Sequence, residues 1–250
     1  MNLIQKEYEL SADYRIDTET FDGNEIVKLT RDNVARVEAM IKTDSDYKDS
    51  GNSDKKGSSA YWLKQLEEII KSKDKNKRTS ENFIYADIIY YLVIAIDIEN
   101  STHLNSDKIG RRAVADRISK LDIEKLVQYL KKPSIEYELI DIIQSPKEEG
   151  EKRHFSFATK FCNYACYNLF KGTKAADNFS KYDSVLEKAL PQYVKRYLGE
   201  DVKLKEYKNN YQQYIKYIDN IREAASKETG EKISRNGFDH LLWYYHKGKN

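Results

Sequence analysis

Ile88-Ile89-Tyr90-Tyr91-Leu92-Val93-Ile94-Ala95-Ile96 is the longest uninterrupted apolar run in the chain, and its length decides how the fold is read. A helix needs about 20 apolar residues to cross a bilayer. This run is half that, so it reads as the middle of a buried core helix. Thr79 or Ser80 is placed to cap that helix, which is expected to run to about Ile98 as the central helix of the fold. Upstream, Trp62, Leu63, Leu66, Ile69 and Ile70 form one apolar stripe, ended by the lysine-rich residues 71–78. Downstream, Asp107 starts a helix with Ile109, Ala113, Val114 and Ile118 turned inward. Asp122 opens another through Leu130, stopped by Pro133, and Ser134 opens one more through Ile143.

The whole composition agrees with helices. Only 3 prolines and 10 glycines occur in 250 residues, too few for a many-turned β-sandwich. A hydrophobic share of 40% beside 34% charged residues is that of a soluble globular protein. The weakest helical period lies at the N-terminus. There Tyr14-Arg15-Ile16-Asp17-Thr18 and Glu25-Ile26-Val27-Lys28-Leu29 flank Asp22-Gly23-Asn24, which predicts a short hairpin or extended arm. Asp32 is placed to cap a short helix through Met40 and Ile41, and residues 43–59 read as a polar loop. In the second half, residues 155–170 are helical and residues 171–181 form a loop. Ser184 opens a helix that Pro191 interrupts. Leu204, Tyr207, Tyr211, Tyr214, Ile215, Ile218, Ile221 and Ala225 mark one long amphipathic helix, and residues 234–246 form a last one. With residues 145–153 as punctuation, the expected organisation is an N-terminal arm and loop (1–59) and two helical lobes (60–145 and 146–250). The expected fold is mainly α, with a cleft between the lobes and a short extended or β arm.

Charge and cysteines narrow the class further. Residues 151–250 carry 19 Lys and Arg against 12 Asp and Glu, whereas residues 1–150 carry 24 against 29. A basic half beside an acidic one suits a polyanionic partner docking on the C-terminal side. Cys162 and Cys166 stand four apart on one expected helix, which is poor geometry for a disulfide and too few ligands for zinc. They read as core thiols of a reduced, cytoplasmic protein. The first residues lack the basic and apolar regions of a signal peptide. His240 and His246 lie six apart, wrong for two ligands on one helix face, so neither a metal nor a cofactor is expected.

The chemistry sits in His154-Phe155-Ser156-Phe157-Ala158-Thr159-Lys160-Phe161-Cys162 and in Lys181-Tyr182-Asp183-Ser184. Lys160 follows Phe157 by three residues and precedes Tyr164 by four, so it shares a helix face with aromatics. Desolvation there disfavours the charged amine. Asp183, 23 residues on, stands at an expected helix start, where exposed backbone N–H groups hold a carboxylate. An amine and a carboxylate brought together can make a nucleophile at neutral pH. Taken singly, the same residues read as a snorkelling lysine and an ordinary helix cap.

Together, Thr159-Lys160, the loop after the helix and the Tyr182-Asp183 helix start resemble the helix-hairpin-helix family of DNA base-excision glycosylases, particularly its 8-oxoguanine glycosylase branch. The likeness is sharp over residues 155–190, looser to Lys247 and architectural before that. The resemblance implies a monomer acting on double-stranded DNA with a damaged or modified base, flipped from the stack into a pocket. It implies Lys160 as the nucleophile that forms a Schiff base, with associated lyase activity, and Asp183 as its electrostatic partner. It further implies Tyr164, Cys162, Asp239 and Trp243 in the base pocket. His154, Ser156, Thr159, Lys181 and Ser184 would meet DNA phosphates. The family's hairpin usually carries Gly-x-Gly, where this chain has Phe155-Ser156-Phe157-Ala158, and its Gly/Pro-rich lead-in to the aspartate is here Ser180-Lys181-Tyr182. Two other readings stay open: a catalytically silent DNA-binding protein of the same fold, and an all-α interaction or scaffold protein.

Overall fold

The computed structural model describes residues 15–43, 55–104, 110–133, 137–144 and 154–247. Among them the protein is mainly helical, with eleven α-helices and one two-stranded sheet. The chain forms two compact units: Ser45–Lys181, and a discontinuous one made of Met1–Asp44 with Tyr182–Asn250. The sequence reading divides the chain at 59/60 and 145/146, and these compact units meet at 44/45 and 181/182. The N-terminal arm belongs with the C-terminal helices because its apolar side chains, Ile26, Val27 and Val37, are completed by them.

The arm is a hairpin. Strands β1 (Thr18–Phe21) and β2 (Asn24–Val27) pair antiparallel, with Thr18 opposite Val27 and Phe21 opposite Asn24. Asp22 and Gly23 both have positive φ, 51° and 76°, as a two-residue turn matched to strand twist requires. Asn24 therefore belongs to the strand, and the first strand lies nearer the turn than residues 14–18. Tyr14 lies outside the described residues. Helix α1 (Arg31–Thr43) follows with Asp32 in its first turn. Most of the expected polar loop, residues 44–54, also lies outside them.

In the unit Ser45–Lys181, α2 (Ser59–Ser72) starts at Ser58, whose Oγ accepts the Tyr61 N–H at 3.1 Å. The long apolar helix α3 (Tyr85–Asn100) begins later than expected. Thr79 closes a preceding turn instead: its N–H donates to Phe83 O at 2.8 Å and its hydroxyl accepts the Phe83 N–H at 3.2 Å. The α3 side chains Ile88, Ile89, Leu92, Val93, Ala95 and Ile96 are buried, whereas Tyr90, Tyr91 and Ile98 are exposed. Helices α4 (Gly110–Ser119), α5 (Ile123–Lys131) and α6 (Glu138–Gln144) follow. The caps expected at Asp107 and Ser134 lie outside the described residues. Asp122 stands at the α5 cap position but makes no cap bond there, pairing with Lys75 at 3.2 Å. Helix α7 (Phe155–Leu169) packs against α2, α3, α5 and α6, so α3 shares the centre of this unit with it.

The second segment of the discontinuous unit opens with α8 (Ser184–Leu198), which runs unbroken through Pro191. Proline cannot donate to the carbonyl four residues back. That carbonyl, Glu187 O, accepts the Tyr207 hydroxyl at 2.7 Å instead, which lets the helix continue. The stripe expected as one long helix is two, α9 (Leu204–Tyr207) and α10 (Tyr211–Thr229). Asn209 takes a left-handed φ of 59°, and the Asn210 side chain caps the second helix by accepting the Gln213 N–H at 3.1 Å. Helix α11 (Arg235–His246) is capped by Ser234. The hairpin is fastened to this frame by Tyr193, fully buried, whose hydroxyl accepts the Val27 N–H at 3.1 Å and lies 3.0 Å from His246 Nε2. Arg196 adds ion pairs to Glu19 at 2.7 Å and Glu228 at 2.9 Å. No helix among the described residues is long and apolar enough to cross a membrane.

Helices α1 and α11 approach closely at Gly237, where an added Cβ would stand 2.9 Å from Val34 Cγ1. Gly237→Ala gains helix propensity but must displace a stiff branched side chain. A net loss of about 1–2 kcal/mol in chemical denaturation is expected.

Candidate functional site

Lys160 lies in the second turn of α7, on a helix whose residues from Phe155 to Cys166 are almost all buried. It is itself 7% exposed. This places the amine on an apolar helix, as the spacing from Phe157 and to Tyr164 predicts. Residues 155–158 form the first turn of this helix rather than a separate glycine turn. The side chain of Thr159 is fully buried, and its hydroxyl donates back to Ser156 O at 3.0 Å.

One turn beyond Lys160, two side chains hold the segment that leads to Asp183. Asn163, buried, donates from Nδ2 to Phe179 O at 2.8 Å. Lys181 Nζ lies 5.5 Å above the centroid of the Tyr164 ring, whose hydroxyl donates to Asn100 Oδ1 at 2.9 Å. Asn178 fixes the same segment from the other side, donating to Leu130 O at 2.7 Å and Lys131 O at 2.9 Å. Specific hydrogen bonds thus shape this lead-in without glycine or proline. The sequence reading missed Asn163 and Asn178. A polar residue at i+3 from the lysine on an otherwise apolar face was the available signal for Asn163.

Asp183 caps α8, as its position predicts. Its Oδ1 accepts the N–H groups of Val185 at 2.9 Å and Leu186 at 3.0 Å. Its Oδ2 has no hydrogen-bond partner among the described residues. The carboxylate is half-buried and held by one oxygen. Within the same unit it reaches Tyr214 electrostatically. Burial pushes the Tyr214 hydroxyl well above the ordinary tyrosine range, and the nearby charges of Asp239 and then Asp183 push it further. Asp239, expected in the base pocket, is therefore a fully buried carboxylate close to the same phenol.

The other expected site residues are divided between the two units. Cys162 is fully buried, and burial, with a smaller contribution from Cys166, raises its thiol well above the usual range. Both cysteines are free. Trp243 is half-buried, with Lys247 Nζ 4.1 Å above its ring. His154, read as a residue that meets phosphate, is buried at the start of α7, where its N–H donates to Gln144 O at 3.1 Å. Ser156 and Lys181 are partly exposed and Ser184 is exposed. Among the described residues no group of His, Cys, Asp and Glu is arranged to hold a metal ion. The charge contrast between the sequence halves also changes with the real units: Ser45–Lys181 carries 24 Lys and Arg against 21 Asp and Glu, and the discontinuous unit 19 against 20.

The chain belongs to the family described as HI_0787_N, N-terminal domain, whose model matches residues 45–169. The match begins where the first compact unit begins and ends with the last residue of α7. It includes the lysine helix and stops short of Asp183. No curated protein and no solved structure matches the chain.

Asp183 is the acceptor for two backbone donors that α8 cannot satisfy internally. Asp183→Ala is expected to lower stability by about 1–2 kcal/mol, while Asp183→Asn, an equally good cap, stays within about 0.5 kcal/mol of wild type. Paired denaturation curves of the two variants check this.

Proposed function

We propose that the protein is a DNA glycosylase with associated lyase chemistry. Lys160 is the nucleophile and Asp183 the electrostatic partner. The observation that carries the reading is the connection from one to the other. Lys160 is buried on α7, Asn163 and Tyr164 one turn on hold residues 179–181, and that segment runs directly into an aspartate cap whose Oδ2 has no hydrogen-bond partner among the described residues.

The uncharged amine of a lysine is its nucleophilic form. Its nitrogen attacks the anomeric carbon as the glycosidic bond breaks, and the base leaves with the bonding electron pair and is protonated. Positive charge develops on the sugar during this step, and a fixed carboxylate stabilises it. Ring opening leaves a Schiff base between Lys160 and C1′. Loss of a C2′ proton then expels the 3′ phosphate. The damaged or modified base is extruded from the duplex to reach these groups.

The helical first turn of α7 and the burial of His154 and Thr159 favour a second reading, a protein of this fold without catalysis. Borohydride trapping on a duplex with an abasic site, alongside base release from duplexes carrying oxidised or alkylated bases, separates the two. Wild type is expected to trap, and Lys160→Ala and the better space-filling Lys160→Met are expected to trap nothing. Asp183→Asn is expected to slow base release about 100-fold or more. Trapping that persists in both Lys160 variants overturns the assignment. Salt-sensitive DNA binding with neither trapping nor base release supports the silent reading.

A further inference from the structure

We infer that Glu187, with Tyr182 and Tyr207, forms a clasp that positions the Asp183 carboxylate. What the carboxylate is positioned for rests on the glycosylase reading; the clasp itself rests on geometry. Glu187 stands one turn after Asp183 and uses three of its groups to fix that turn. Its N–H donates to Asp183 O at 2.8 Å. Its carboxylate accepts the hydroxyl of Tyr182, the residue just before the cap. Its carbonyl, left without a helical donor by Pro191, accepts the Tyr207 hydroxyl at 2.7 Å.

The contact between Tyr182 and Glu187 joins the two positions that an apolar staple ordinarily joins at a helix start. Here the staple is polar and aromatic. The Tyr182 ring lies edge-on to Tyr214 at 5.1 Å, and Tyr207 stacks on the same ring at 6.4 Å. Tyr207 and Tyr214 are fully buried and Tyr182 nearly so. Both clasp hydroxyls stay protonated, and so remain donors, at neutral pH. Burial, and then the bond to Glu187, raises Tyr182 far above the ordinary range; burial, and then the Glu187 charge, pushes Tyr207 up to about 12. Lys208 Nζ, 3.7 Å from the Glu187 carboxylate, adds a solvent-screened charge.

A first helical turn with Ser184 exposed is the part of a helix most prone to fray. If it frays, the N–H groups of Val185 and Leu186 turn away and the carboxylate loses its fixed direction. Stabilising transition-state charge requires a group already in place when that charge forms. Tyr182, Tyr207 and Glu187 are thus positioning residues that act through Asp183.

The test uses the full chain with Tyr182→Phe, Tyr207→Phe, Glu187→Ala and Glu187→Gln. The first three variants are expected to speed amide hydrogen exchange at Val185 and Leu186 about tenfold, with Ile218 and Ile221 in mid-α10 unchanged. Single-turnover base release should fall about five- to tenfold while DNA affinity stays within about twofold. Glu187→Gln keeps an acceptor for Tyr182 and is expected to match wild type within about twofold in both measurements. Unchanged exchange at Val185 and Leu186 overturns the clasp, as does acceleration that spreads equally to α10. Faster local exchange with an unaltered release rate overturns the positioning role. A wild type that releases no base from any duplex defeats the glycosylase reading, and the exchange result still decides the clasp.

Discussion

The hydrogen bond from the Tyr207 hydroxyl to Glu187 O is the constraint on which the discontinuous unit turns. Pro191 removes one rung from the α8 ladder, and an unsatisfied buried carbonyl costs about 1–3 kcal/mol. With the rung replaced from outside, α8 remains a single 15-residue helix. One end of that helix carries Asp183. Further along it are Tyr193 and Arg196, which hold the N-terminal hairpin through Val27 and Glu19. A broken α8 would separate the cap from the anchor points of the hairpin.

The other unit is organised around a helix with polar residues in unusual places. Lys160, Thr159 and Asn163 are all buried on α7, where unpartnered polar groups are expensive. Thr159 bonds its own helix and Asn163 bonds the loop carbonyl of Phe179. One of the residues that make α7 unusual as a core helix, Asn163, thus also ties it to the segment before Asp183. Packing and the proposed chemistry draw on the same side chains.

Much of this could be read from sequence. The apolar run at residues 88–96, the stripe from Trp62 to Ile70 and the Asp183 cap rest on local rules that the structure bears out. So does the buried position of Lys160, because its three- and four-residue neighbours on the helix are aromatic. What could not be read depended on distant partners. The proline rule predicts a break at Pro191, and Tyr207, sixteen residues later, cancels it. Periodicity carried the expected helix straight through 208–210, where the backbone preferences of Asn209 and Asn210 prevailed. The true units were hidden because contacts between residues near 27 and near 193 leave no periodic trace. The basic C-terminal half was a property of numbering, and it fades once charges are counted by unit.

The discontinuous unit also imposes an order on synthesis. Ser45–Lys181 is one contiguous stretch, so its helices can associate as they leave the ribosome. The hairpin and α1 precede that stretch, and their partners in α8 and α11 follow it. A two-stranded hairpin with four-residue strands is marginal alone, so it waits for α8 and α11 to be made. Joining it across 137 intervening residues carries a chain-closure entropy of about 4 kcal/mol in a flexible chain. Prior folding of the inserted unit removes most of that freedom. The hairpin is made before its partners and is therefore among the last parts of this unit to fold, and a stall before α8 is complete would leave Ile26 and Val27 open to aggregation.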